Sequence, residues 1–201
     1  MYIPHHYKNE NTAEVKAFIK DNAFGILINQ YDGRPWATHI PLELERNQEG
    51  QEVLTGHIAK ANPQWKAFQD QSEVLCIFNG PHTYVSSSWY QEEEVPTWDY
   101  IAVHVYGTIK ILDESDTMRA LERLVSRYEK DMDKPIQLRE LSPKTLRQVK
   151  GVVGFEIRIS EIKAAYKLSQ TRPEDHAAIV SELKKRDDPG ARAISKIISK
   201  E

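Results

Sequence analysis

The sequence predicts a mainly β chain with helices, its strands forming a closed antiparallel barrel and its longer connections helical. Three observations predict this. Short runs of alternating apolar and polar residues recur from residue 24 to residue 159; turn signals such as Asp32-Gly33 and Gly80-Pro81 separate them; and the amphipathic stretch Ser115 to Lys130 is long enough to serve as a crossover.

The first element is a helix over Asn11 to Asn22. Asn11 stands at its N-cap, Glu14 at the capping-box position, and Val15, Phe18 and Ile19 share one face. Gly25 is placed to stop it. Phe24 to Gln30 reads as a strand, and Asp32-Gly33 is a hairpin signal leading into a second strand, Trp36 to Leu44. There Thr38, Ile40, Leu42 and Leu44 alternate with Ala37, His39, Pro41 and Glu43, and Pro41 argues for an edge or a bulge. Val53 to Ala59 is the next strand, followed by a short helix in which Asn62 caps and Pro63 takes the first helical position.

Glu73 to Asn79 is expected as a strand ending at Gly80-Pro81, and Thr83 to Trp89 as another. Tyr100 to Leu112 alternates with Ile101, Val103, Val105, Ile109 and Ile111 on one face. The helix over Ser115 to Lys130 turns Met118, Leu121, Leu124, Val125 and Tyr128 inward, and Leu141 to Val149 is a shorter helix. Gly151 to Ile159 is the final strand, Glu174 to Lys185 a helix, and the tail from Arg186 is charged around a Pro189-Gly190 break. The expected organisation is one domain over 1–172, crossover helices at about 115–149 included, and a C-terminal helical extension over 173–201.

Composition is that of an ordinary globular chain: 40% hydrophobic, 28% charged, formal charge −3. That balance gives no electrostatic reason to expect nucleic acid, whose affinity rests on neutralised phosphates. Lys184, Lys185, Arg186, Arg192, Lys196 and Lys200 are diluted by Asp187, Asp188 and Glu201, and no helix-turn-helix is legible, so DNA has no evident reader here. Cys76, the one cysteine, lies in an apolar run and is expected as a buried thiol. No stretch approaches the roughly 18 apolar residues of a membrane span. With no signal-like segment at the start, a cytoplasmic protein is expected.

Four segments carry chemistry. Gly56 to Trp65 places Lys60 just before the helix start at Asn62, a sensible arrangement for an anion, although plain capping accounts for it equally. Gly80 to Tyr90 sets Ser86, Ser87 and Ser88 between Tyr84 and Trp89. Val95 to Tyr100 brings Trp98 to the head of the longest strand, and Lys167 to Arg172 is a cationic, hydroxyl- and amide-bearing stretch expected after the last strand. Dinucleotide, Walker and zinc-protease motifs are absent from the sequence. Of seven histidines, His39, His57 and His104 lie in strands, with no paired ligand spacing that would single out a metal site. No serine has a defined histidine-acid pairing.

Together these segments resemble the PaiB family of flavin-binding negative transcriptional regulators. The matching pieces are Met1 to Pro4, Asp32 to Pro35 with Ala37 to Leu42, Gly56 to Trp65, Tyr84 to Ser86 with Ser88 to Tyr90, Pro96 to Trp98 with Tyr100, Gly154 to Ile157, and Lys167 to Gln170. They run in family order and span nearly the whole chain. Ser87 stands where a proline is expected, Asp99 where an asparagine is common, and Thr171 in place of an asparagine. The resemblance implies a six-stranded antiparallel split barrel of the pyridoxamine-phosphate-oxidase kind. It implies flavin mononucleotide (FMN) at the interface of a homodimer, and a role repressing protease production and sporulation.

On that footing the phosphate falls to Lys60 and the amides near Asn62. Ser86, Ser88, Lys167 and Arg172 assist, with Ser169 and Gln170 in the same motif. Thr38 and His39 would meet the ring's polar edge; Trp89, Trp98 or Tyr100 would pack on the ring or ribityl chain, or else in the core or dimer. Two other functions fit such a barrel: a flavin reductase or oxidase, and a haem-binding protein.

Overall fold

A computed structural model describes residues 1–68 and 72–199. Lys200 and Glu201, counted above among the charges of the tail, lie outside the described residues. The strands are β1 (Phe24–Tyr31), β2 (Arg34–Pro41), β3 (Glu43–Arg46), β4 (Glu52–Ala59), β5 (Ser72–Val85), β6 (Thr97–Ile111) and β7 (Val152–Lys167). The α-helices are α1 (Thr12–Asp21), α2 (Glu114–Glu129), α3 (Pro143–Leu146), α4 (His176–Lys185) and α5 (Pro189–Ile198).

The strands form one seven-stranded sheet in the order β2-β1-β5-β6-β7-β4-β3. Both edge strands belong to a single stretch of chain, interrupted only by Leu42, which is fully buried and donates its N–H to Ala23 O at 2.8 Å. An open strand order whose two ends are covalent neighbours is the layout of a split barrel. The resemblance implies six strands and the sheet has seven. The strand expected over Trp36 to Leu44 is two, because Pro41, which has no N–H for a ladder, ends β2, and three consecutive residues, Leu42 to Leu44, are buried where alternation would expose one. In the other direction, the two strands expected around Gly80-Pro81 are one: β5 runs straight through to Val85.

The hairpin joining β1 and β2 turns at Asp32 (φ 51°) and Gly33 (φ 72°), the paired left-handed conformation of a type I′ turn that an Asp-Gly sequence supplies. Its register pairs Tyr31 with Arg34 and Phe24 with Pro41. Asn11 caps α1 by accepting from Glu14 N–H, while the Glu14 carboxylate takes the Asn9 amide instead of closing the reciprocal box.

The chain divides into two compact units. The first is Met1–Asn22, Phe78–His104 and Lys163–Glu201. Its buried residues include Ile19, Phe78, Val85, Val103, Leu168, Ile179, Leu183, Ala191 and Ile194. The tail expected only as a charged stretch is here α5, with Ala191, Ile194, Ser195 and Ile198 buried and Asp188 capping Gly190 N–H. Its apolar residues recur every three or four positions, a helical signal that the surrounding charge obscures.

The second unit is Ala23–Ile77 and Val105–Ile162. Leu27, Leu42, Val53, Leu54, Cys76, Phe155 and Ile157 are completely buried there, and Phe68 meets Phe155 edge-on at 5.6 Å. Burial pushes the Cys76 thiol pKa up, as expected of an inert core cysteine. Helix α2 departs from expectation: only Thr117 is buried, Met118, Leu121, Leu124 and Val125 are half-buried, and Tyr128 is exposed. Polar contacts tie it to β3, with Arg123 chelating Glu45 (2.8–3.0 Å), Arg127 on Glu43 (2.5 Å) and the Tyr128 hydroxyl donating to Glu43 (2.9 Å). Ile111, expected inward, is exposed at the end of β6. The helix expected over Leu141 to Val149 is instead the single turn α3 followed by a 3₁₀ turn, Arg147–Gly151.

Candidate functional site

The sequence-predicted residues fall into two groups, one in each unit. In the first unit, strand β6 opens with Thr97-Trp98-Asp99 and strand β7 closes with Lys167. The Lys167 ammonium donates to the Thr97 hydroxyl and lies 5.6 Å from the centre of the Tyr7 ring. A neutral hydroxyl leaves its charge uncompensated at contact distance. Burial lowers the Lys167 pKa, the charge of Asp99 opposes that shift, and Arg172 adds to it.

Beside it, the stretch Lys167 to Arg172 is partly buried, with Leu168 and Ser169 in the interior of their unit. The Gln170 side chain folds back on its own turn, donating to Tyr166 O and accepting from Leu168 N–H (2.8 Å). Ser169 sits at φ 59° and gives its hydroxyl to Asp99 Oδ2 at 2.7 Å. Asp99 is fully buried, and its other oxygen, Oδ1, has no partner among the described residues. Burial raises its pKa, against the pull of the Ser169 hydroxyl and the Lys167 charge. Arg172 lies 4.2 Å over the Tyr90 ring and pairs with Glu94 at 3.2 Å, which holds the Glu94 carboxyl low. The Tyr90 hydroxyl is buried without a partner.

Trp98 is 49% exposed; its indole N–H reaches His82 Nδ1 at 3.3 Å, and its ring meets those of His82 (5.8 Å) and Tyr84 (6.2 Å). That is an open aromatic surface rather than core. Ser86 and Ser88 hydrogen-bond each other (Oγ–Oγ 2.8 Å) at the start of the 3₁₀ turn Ser87–Trp89, so both hydroxyls remain at the surface, and Trp89 is half-buried.

In the second unit, Thr38 and Asn62 are brought together, but around a residue that sequence reasoning did not select. Gln64 is completely buried; its amide donates to Asn29 Oδ1 (2.8 Å), Leu27 O (3.2 Å) and Trp36 O (3.3 Å), and its carbonyl accepts from the Thr38 hydroxyl (2.5 Å). Asn62 donates to Thr38 Oγ1 (2.9 Å) and accepts from Gln64 N–H (3.1 Å). These side chains are spent on joining β1, β2 and the turn Pro63–Ala67. Lys60 is exposed, its backbone tied to Gly151 O (2.8 Å) and to the Trp65 indole (2.9 Å), and its ammonium has no partner among the described residues. His39 is exposed and stacks on Phe24, itself 68% exposed, at 6.4 Å.

Sequence reasoning passed over His82, Tyr90 and Thr97 as well as Gln64. All lie inside the segments singled out, and only their through-space partners distinguish them. Burial lowers the pKa of His57 and of His104. Among the described residues no group of three or more His, Cys, Asp or Glu side chains could hold a metal ion, and no helix is long and apolar enough to cross a membrane.

Comparison with known proteins adds the family. The flavocytochrome Anf3 from Azotobacter vinelandii superposes with a TM-score of 0.64 at 15% identity, over 81% of this chain and 70% of its own. An FAD and heme binding protein from Mycobacterium smegmatis gives 0.62 at 15% identity, over 86% and 80%. At such identity these share the fold. Protease synthase and sporulation protein PAI 2 of Bacillus subtilis (strain 168) is 41% identical over 200 residues, 98% of this chain and 96% of its own. The family model described as "Putative FMN-binding domain" matches residues 1–161, and FMN is the cofactor that goes with it. With that match and that relative, the chain belongs to the FMN-binding family of PaiB-type proteins.

Proposed function

We propose that this chain is an FMN-binding negative regulator of protease synthesis and sporulation, working as a cytoplasmic homodimer. The observation that carries the regulatory part is the 41% identity, over 98% of the chain, to a protein named for protease synthesis and sporulation. The split barrel alone would not distinguish a regulator from an enzyme.

The donor set of the first unit fits the cofactor. FMN presents a phosphate dianion and a flat, partly polar ring. Lys167 supplies a half-buried cation bonded to a neutral hydroxyl, and Ser86 and Ser88 supply surface hydroxyls. Trp98, Tyr84 and His82 supply open aromatic area. Lys167 is therefore the first choice for the phosphate on this unit, with Arg172 available once Glu94 releases it. Lys60, an exposed cation of the other unit, keeps its assignment as a phosphate ligand. Thr38 and Asn62 act through the Gln64 network that shapes their turn. When bound, FMN supplies redox chemistry; the protein's part is to hold and orient it.

Regulation runs through a partner or a metabolite rather than through a dedicated DNA-reading helix, since Asp187 and Asp188 follow Lys184, Lys185 and Arg186, and Arg192 pairs with Asp187 at 2.8 Å. Fluorescence titration with FMN and riboflavin tests the cofactor. Phosphate-dependent saturation is expected, and no binding at tens of micromolar would remove FMN from the reading. Deleting the gene in its host and measuring secreted protease tests the regulation: a rise is expected, and unchanged levels would sink it. Steady consumption of NADH or NADPH with added flavin would move the protein to the oxidoreductases.

A further inference from the structure

We propose that Asp99 is the positioning residue of the loop carrying Lys167 and Arg172: its carboxyl holds Ser169 in the left-handed backbone and so fixes where the two cations stand. The inference rests on the reading that these cations serve the FMN phosphate.

The geometry converges on Ser169. Its carbonyl accepts from Arg172 N–H at 3.0 Å and stands 3.0 Å from His176 Nε2, while its hydroxyl reaches across to β6 at Asp99 Oδ2, 2.7 Å away. Ser169 stands at φ 59°, where a residue bearing a side chain is disfavoured relative to right-handed backbone. A residue persists there only when its surroundings hold it. Gln170 bonds only within its own turn, to Tyr166 O and Leu168 N–H, so it does not tie the loop to a strand that is distant in sequence. Asp99 does, across 70 residues of sequence. The left-handed turn falls between Lys167 and Arg172, so a change of backbone hand at Ser169 would redirect one cation relative to the other.

Asp99 is also a conditional charge. Its Oδ1 has no donor, so a proton is taken up there without disturbing the Ser169 bond on Oδ2. The grip on the loop is common to both protonation states; the negative charge belongs to one. The groups facing this cluster are Lys167 on β7, His176 on α4, and Arg172 and Tyr90 with Glu94 and Asp175 around them. Burial favours the neutral carboxyl and Lys167 the charged one. An anion held by Lys167 meets less opposing charge when Asp99 carries its proton.

The test is FMN titration, followed by flavin fluorescence, of the full chain and its Asp99→Ala and Asp99→Asn variants at about pH 5 and about pH 8, which bracket the range open to a raised carboxyl. Asp99→Ala removes the grip and is expected to weaken FMN by about tenfold or more, with riboflavin affected far less. Asp99→Asn can still accept from Ser169 and cannot ionise. It is expected to bind FMN within about threefold of the parent at the lower pH, and the parent-to-variant affinity ratio is expected to fall by about threefold or more at the higher pH. Because FMN and Lys167 titrate in both proteins, the ratio rather than either profile is read. Tight FMN binding by Asp99→Ala, or a flat ratio, overturns the inference and leaves the flavin reading standing. No FMN binding by the parent at either pH overturns both.

Discussion

Ser169 donates its hydroxyl to the fully buried Asp99 at 2.7 Å, and the second oxygen of that carboxyl has no partner. The pair has a consequence for stability that needs no cofactor. Burial raises the Asp99 pKa in the folded chain. A raised carboxyl contributes stability that is fully present below its unfolded pKa, about 3.9, and is lost as pH rises through the folded value. Asp99→Asn, which keeps the acceptor and removes the charge, is therefore expected to raise the melting temperature more at pH 8 than at pH 4. Thermal melts of both proteins at the two pH values check it; an equal shift at both would show that Asp99 keeps its ordinary pKa.

Lys60 and Lys167 are each a candidate for the phosphate. Replacing a lysine that makes a charge-assisted phosphate bond costs about 1.5–3 kcal/mol of affinity. Lys60→Ala and Lys167→Met are each expected to lose that much for FMN and almost nothing for riboflavin. Parallel titrations decide between them: a lysine whose loss leaves FMN affinity unchanged is not a phosphate ligand.

Gln64 is expected to be among the costliest polar positions of its unit. Gln64→Ala takes a donor from the Asn29 side-chain carbonyl and from the Leu27 and Trp36 backbone carbonyls, and an acceptor from the Thr38 hydroxyl, which keeps only its bond from Asn62. Each buried polar group left unpaired costs about 1–3 kcal/mol. A loss of about 2–4 kcal/mol in urea unfolding is expected. A loss under about 1 kcal/mol would mean that water replaces the side chain.

How much of this was legible beforehand follows from range. The hairpin at Asp32-Gly33, the caps at Asn11 and Asn62 and the alternation of β6 are local, and period and turn chemistry reveal them. The edge position of β2 was readable from Pro41, although the split at Leu42 was not, because burial of Leu42 to Leu44 depends on what surrounds the strand. At the site, the motifs picked out segments, and the contacts within them were not readable from the sequence. Asn62 was expected beside the phosphate and Thr38 at the ring's polar edge; in the structure both bond to Gln64, Thr38 across 26 residues of sequence. Asp99 was legible only as a departure from the asparagine common there; its partner Ser169 is 70 residues away.

Gly80 shows the same limit and yields a final test. In sequence Gly80-Pro81 marks a turn, yet β5 passes through it without a break. The reason for the glycine lies on α1. A Cβ at residue 80 would stand 2.6 Å from the Phe18 ring, which is itself backed by Tyr166 at 5.9 Å. The glycine is thus a slot for an aromatic ring, and Gly80→Ala must push that ring aside. Overpacking of this kind costs about 1–3 kcal/mol. If the slot is the reason, the cost belongs to the pair: Phe18→Leu alone loses packing, but in the Gly80→Ala background it relieves the clash. The double variant is then expected to be more stable than the sum of the single losses by about 1 kcal/mol or more. A double-mutant cycle by urea unfolding measures that coupling, and strict additivity would place the need for glycine in the strand itself rather than in the helix above it.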